Sequence, residues 1–96
     1  MELFIFARFH VHEEFQATAA AVLREQVEIV RDEPGCLAIG AFRDVRNPRL
    51  FFIHSRWSDE AAFDVHAELP STVRFIARMQ NMIDHPFDIS RTHKMA

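Results

Sequence analysis

Leu50-Phe51-Phe52-Ile53-His54-Ser55-Arg56-Trp57, followed by Ser58-Asp59-Glu60-Ala61-Ala62-Phe63-Asp64-Val65-His66, is the stretch on which the fold turns. The first eight residues are rich in aromatic and β-branched side chains and read as a strand closed by a Trp. Ser58 then offers a helix N-cap, and Asp59 and Glu60 place acid in the first helical turn, where the macrodipole favours it. A short helix is predicted to about Ala67, with His66 near its end.

Upstream, Cys36–Val45 reads as a strand in hairpin relation to Leu50–Trp57, the turn being marked by Asn47–Pro48. Leu37, Ile39 and Ala41 fall on one face, Ala38, Gly40 and Phe42 on the other. Before it, Phe15, Ala19, Val22, Leu23, Gln26, Val27 and Val30 recur at helical spacing, with Arg24, Glu25, Glu28 and Arg31 opposite. Glu13 and Glu14 suit the start of that helix; Pro34–Gly35 stops it after about Asp32. Leu3–Val11 is a strand whose continuously apolar first half predicts burial on both faces. Downstream, Pro70 interrupts. Ser71 or Thr72 starts another helix with Val73, Ile76, Met79 and Ile83 as its apolar set, flanked by Phe75 and Met82. Pro86 ends it, and Phe87–Lys94 alternates as a last strand.

The order β-α-β-β-α(α)-β is the split βαβ arrangement of an α+β, ferredoxin-like fold with a four-stranded antiparallel sheet. Its 96 residues predict a single domain spanning 1–96. Such a sheet has helices on one face only, and Phe4, Phe6, Phe42 and Phe52 are expected on the other. Hydrophobic residues make up 49% of the chain and ten are Phe, more apolar surface than a small monomer readily hides. A homodimer formed through the open sheet faces is therefore expected.

The formal charge of −3 is spread among interspersed acids and bases. No basic stripe points to nucleic acid and no apolar run is long enough for a membrane span. Met1-Glu2-Leu3 lacks the basic start of a signal peptide. The single Cys fits a reducing compartment, so a cytoplasmic location is expected. Cys36 has no Lys or Arg beside it to lower its pKa and reads as inert. Glycine-rich phosphate loops, dinucleotide fingerprints and Ser/His/Asp patterns are absent from the sequence.

The Trp57-to-His66 stretch, together with Asp32-Glu33-Pro34-Gly35-Cys36, resembles the antibiotic biosynthesis monooxygenase family of the dimeric α/β-barrel superfamily, across roughly residues 2 to 95. The resemblance implies two sheets packed face to face as a dimeric barrel. It also implies an oxidation of a small phenolic or quinol-type aromatic ring that needs no flavin, haem or metal, because the substrate anion itself reacts with oxygen. His66 matches the family's most recurrent polar residue near the cavity between helices and sheet, and the resemblance implies a catalytic role for it, orienting or deprotonating the substrate; its other reading is a hydrogen bond that shapes the fold. Phe9, Trp57, Phe63 and Phe75 are the expected apolar lining of the substrate pocket. Trp57 also reads as a core anchor at the strand–helix junction.

Two departures from the family narrow the chemistry. Haem-degrading relatives carry an Asn on the first strand and a His on the later helix; here the strand position is Ala7, and Val73–Ile83 contains no His. Many relatives place a Glu two residues before the Trp, where this chain has Ser55. An isomerase, a small-molecule-binding protein with Arg8 or Arg43 holding an acid, and a structural dimer without catalysis are the alternatives.

A second polar group comes from strand alternation. Arg8, His10 and His12 share one face of the first strand, and His54 and Arg56 one face of the third. If they converge, they form either a polar dimer seam, bonded across the two-fold to Asp44 or Asp88, or a metal site through His10, His12 and His54. No carboxylate or Cys at matching spacing completes that set, so no metal is expected.

Overall fold

The computed structural model describes residues 1–96. Strand β1 (Leu3–His10) leads through a 3-10 turn (Glu13–Phe15) into helix α1 (Gln16–Val30). Strands β2 (Cys36–Arg43) and β3 (Leu50–Trp57) form the hairpin; helices α2 (Glu60–Glu68) and α3 (Pro70–Gln80) follow, and β4 (Asp88–Thr92) closes the chain. The sheet order is β2-β3-β1-β4 with every neighbouring pair antiparallel. This is the expected α+β fold with a four-stranded antiparallel sheet. No helix is long and apolar enough to cross a membrane.

Strand alternation sorts the side chains. Leu3, Ile5, Ala7 and Phe9 of β1 and Phe51, Ile53, Ser55 and Trp57 of β3 are buried on the helix-covered face. On the other face Phe6 is 53% and Phe42 56% exposed, with Phe4 and Phe52 half-buried. The apolar stripe of α1 is buried as its spacing requires, Gln26 included.

Several boundaries differ from expectation for identifiable reasons. Asp59, not Ser58, is the N-cap of α2: its backbone is extended and its carboxylate accepts from Ala62 N–H at 2.8 Å. Pro70 does not delay the next helix but occupies its first turn, where its missing N–H costs nothing. The buried stripe of α3 is Thr72, Phe75 and Met79, and Val73, expected on the apolar face, is 56% exposed. The helix stops at Gln80, and Ile83 instead pairs with Val11 as an isolated bridge.

The proposed convergence of polar strand residues fails on register. His10 lies opposite Leu50, whereas His54 lies opposite Phe6, nearer the other end of the antiparallel pair. His54 stacks on Phe6 at 4.6 Å and bonds the Ile5 carbonyl. His12 lies beyond the strand, edge-on to Phe15.

The core is split. One cluster of 12 buried residues centres on Phe9, Leu23, Phe51, Phe75 and Met79; a second of five comprises Leu3, Ile5, Val30, Trp57 and Phe63. A cavity borrows walls from both.

Candidate active site

The cavity between helices and sheet has a volume of about 350 Å³, within the range of small-molecule sites. Twelve of its 17 lining residues are hydrophobic, leaving Gln26, Ser55, His66, Thr72 and Arg91 as its polar groups. Phe9, Phe63 and Phe75 are in the lining, and so is Ala7, the position that haem-degrading relatives fill with Asn. Ile89 and Arg91 line it and are also exposed, so the cavity meets solvent along β4.

Trp57 does not line the cavity. It is completely buried, and its indole Nε1–H donates to Ser55 Oγ at 2.9 Å. Its ring packs 4.7 Å from that of His66 and 5.6 Å from that of Phe63. Trp57 is therefore the anchor behind the wall, because β3 ends by turning it into the second core cluster. Ser55, two residues before the Trp, accepts from that indole and orients it.

His66 sits on α2 with its side chain only 12% exposed. Its Nδ1 lies 2.7 Å from Glu33 Oε1. An ionised carboxylate can only accept, so Nδ1–H donates, and in the tautomer this selects for the neutral imidazole the lone pair lies on Nε2. Thr72 Oγ1 lies 3.3 Å from the same Nδ1. Glu33 Oε2 is buried and has no partner.

The Glu33 contact depends on the turn that ends α1. Gly35 has φ +84°, the left-handed region, and a Cβ there would stand 2.5 Å from Ala62 Cβ on α2. Glycine thus allows the turn both its conformation and its close approach. Its carbonyl accepts from Ser58 N–H at 2.9 Å. Cys36, next in the chain, has its thiol pKa raised by burial and then by the Glu33 charge, which keeps it protonated and unreactive.

Arg91 is a lining residue that sequence reading missed. Its guanidinium stacks over Phe63 at 4.8 Å and donates to Asp64 at 2.6 Å and Glu60 at 3.0 Å, tying β4 to α2. The Asp64 bond, then the Glu60 bond, raises its pKa further. Arg8 and Arg43, the expected acid-holding residues, are not in the lining; Arg43 lies over the Phe51 ring.

The His10, His12 and His54 metal set does not assemble. His10 instead meets Asp84 and His85. Asn47 Oδ1 accepts from Arg49 N–H, which turns its Nδ2 toward His10 Nε2 as a donor at 3.2 Å. His10 Nδ1 then donates to Asp84 Oδ1 at 2.5 Å, and Arg49 holds the other carboxylate oxygen. Both ring nitrogens are used, leaving no lone pair on His10 for a metal.

The sheet, with its helices on one face, defines an α+β protein of ferredoxin-like type, and an apolar cavity lies between the two layers. The chain belongs to the antibiotic biosynthesis monooxygenase family, whose sequence model matches residues 3–78. It is 26% identical over 92 residues to YcnE of Bacillus subtilis, a candidate monooxygenase, covering 96% of this chain and 93% of that one. It is 27% identical over 70 residues to the Synechocystis protein sll1783, whose name assigns no function. That match takes in 73% of this chain but only 47% of the relative, about half its length. The crystal structure of an antibiotic biosynthesis monooxygenase superposes with a TM-score of 0.92 at 26% identity, covering 98% of this chain and 99% of that one. Rv0793 from Mycobacterium tuberculosis, at 17% identity, shares the fold with a TM-score of 0.93, covering 100% of this chain and 97% of that one.

Proposed function

We propose that the protein is a cofactor-independent monooxygenase that oxidises a small phenolic or quinol-type ring in the cavity between helices and sheet. The observation that carries this reading is His66, held by Glu33 at the wall of an apolar cavity of about 350 Å³. His66 Nε2 takes the phenolic proton, and Glu33 stabilises the imidazolium that forms. The Phe9, Phe63 and Phe75 walls exclude water from the electron-rich anion, which reduces oxygen. One oxygen atom enters the ring and the other leaves as water. A quinol becomes a hydroxyquinone and supplies all four electrons. A cavity beside His66 favours retained small-molecule chemistry over a purely structural dimer.

The reading includes a homodimer built through the open sheet faces. Burying a Phe side chain stabilises by about 1.5–3 kcal/mol, and Phe6 and Phe42 are each more than half exposed on that face. Oxygen uptake across a panel of quinols, followed by mass spectrometry of the product in ¹⁸O₂, tests the activity. Incorporation of one labelled atom is expected; no uptake with any quinol would refute it. Light scattering of wild type and the Phe6→Glu/Phe42→Glu double variant tests the assembly: dimer and monomer, respectively, are expected.

A further inference from the structure

Two residues of the cavity lining are exposed, Ile89 and Arg91, and both belong to β4. Register places them on the helix side of the sheet: Ile89 lies opposite Ala7 and Arg91 opposite Ile5, both buried there. But β4 is an edge strand and the helical layer does not reach over it, so Ile89 stays 40% exposed. One side chain bridges the gap. Glu60 and Asp64 stand one turn apart on the same side of α2, and the Arg91 guanidinium donates to both while lying 4.8 Å over the Phe63 ring. Phe63 in turn lies 5.3 Å from the His66 ring. Every hydrogen bond between β4 and a helix comes from this guanidinium.

We propose that Arg91 is the gate of the cavity: a small aromatic ring enters and leaves between β4 and α2, beside His66, when the bridge from Arg91 to Glu60 and Asp64 swings open. This rests on the reading above, in which the cavity takes such a ring. The three side chains suit a gate rather than a fixed wall. They are 39%, 57% and 59% exposed, so water competes for every bond they make. Exposed ion pairs and cation–π contacts are individually weak, and the bridge opens without unfolding α2 or β4. Opening moves one flexible side chain, whereas the rest of the lining, Ile89 apart, is buried or half-buried. Closed, the guanidinium covers Phe63 and helps to keep water from the end of the cavity where His66 stands.

A gate sets how fast a ligand exchanges, not how tightly it binds, which separates it from a ligand contact. Stopped-flow mixing of the intact protein with 1-naphthol, uncharged at neutral pH, is read through quenching of Trp57, the single tryptophan. Arg91→Ala is expected to raise the association and dissociation rates together, each about 3- to 10-fold, with Kd within about twofold of wild type. The Glu60→Gln/Asp64→Asn double variant alters no lining residue and should do the same. Raising ionic strength from about 0.02 to 0.5 M should speed exchange in wild type and leave Arg91→Ala unchanged, because the bridge is exposed to screening. Arg78→Ala breaks an exposed pair with Glu25 outside the cavity and should keep wild-type rates. Wild-type rates in Arg91→Ala or in the double variant, a change in dissociation alone, equal salt effects in wild type and Arg91→Ala, or equal acceleration by Arg78→Ala overturns the gate and leaves the proposed function standing. If 1-naphthol does not bind, or if Ala7→Leu, which fills part of the cavity, leaves its binding unchanged, the cavity does not take the ring and both readings fall.

Discussion

Two histidine–carboxylate pairs occupy the two sides of this sheet, and they differ in what is left over. His10 and Asp84 lie at the end of β1, where Asn47, Arg49 and His85 take up the remaining donors and acceptors. His66 and Glu33 lie on the helix side, where one carboxylate oxygen has no partner and the imidazole lines a cavity. The first pair closes the chain: Asp84 N–H donates to the His10 carbonyl, and Arg49 Nε donates to that of Val11. The second retains hydrogen-bonding capacity in an apolar site, which is the arrangement that chemistry needs. Proximity of a His to an acid therefore says little here; the satisfaction of the surrounding groups separates a structural clasp from a candidate base.

The widest separation should come from removing each imidazole. His66→Ala is expected to lower quinol turnover by about 10²–10⁴-fold, the usual cost of a lost general base. His10→Ala should reduce the thermal midpoint yet leave turnover of the folded protein near wild type. Oxygen uptake and thermal melts on both variants measure this. Loss of turnover with His10→Ala, or normal turnover with His66→Ala, would erase the distinction.

Next in size is the turn that supports the Glu33 contact. Gly35→Ala forces a Cβ into the left-handed region, and that atom stands 2.5 Å from Ala62 Cβ. A loss of about 2–4 kcal/mol in folding free energy is expected from urea unfolding. Glu33→Gln keeps the shape and an acceptor oxygen while removing the charge. Its stability should change little, but kcat should fall about 10- to 100-fold with KM nearly constant, since the charge matters most when His66 is protonated. A variant with unchanged kcat would make Glu33 a structural partner like Asp84.

Much of this was legible in the chain. The spacing from Ala19 to Val30 specifies the inner stripe of α1, whereas the continuously apolar start of β1 predicts burial on both faces and the structure buries only Leu3, Ile5, Ala7 and Phe9, leaving Phe6 53% exposed. The errors sit where local chemistry is degenerate or contacts are long-range. Ser58 and Asp59 are both good caps, and only the backbone angles choose between them. A Pro before Ser71 reads as a break or as a first helical residue, and in α3 two apolar sets overlap at Met79, so spacing alone does not choose Thr72 and Phe75 over Val73 and Ile76. His10 finds Asp84 across 74 positions, and His66 finds Glu33 across 33; no periodicity reports such pairs. Trp57 ends its strand on the helix-covered face in either reading, and only the packing of α2 put Phe63 and His66 between it and the cavity.

The smallest effect concerns pH and belongs to the clasp. The hydrogen bond from His10, helped by His85 and Arg49 against the opposing effect of burial, holds the Asp84 carboxyl well below the usual carboxylate range. The folded protein therefore binds this proton less readily than the unfolded chain does. Above the ordinary carboxylate value of 3.8, Asp84 is ionised in both states and its contribution is fully present. As pH falls below that value, the unfolded chain takes up the proton first, and stability drains away until the folded carboxyl titrates too. Thermal melts between pH 7 and pH 2 should show wild type losing stability across the acid range, with Asp84→Asn less stable at neutral pH but on a flatter acid limb. Because Asp84 lies outside the cavity, the pH dependence of turnover above pH 5 should be the same in both proteins. An acid limb equally steep in Asp84→Asn would mean that other carboxylates govern acid unfolding, and that the His10–Asp84 pair is a weaker clasp than its geometry indicates.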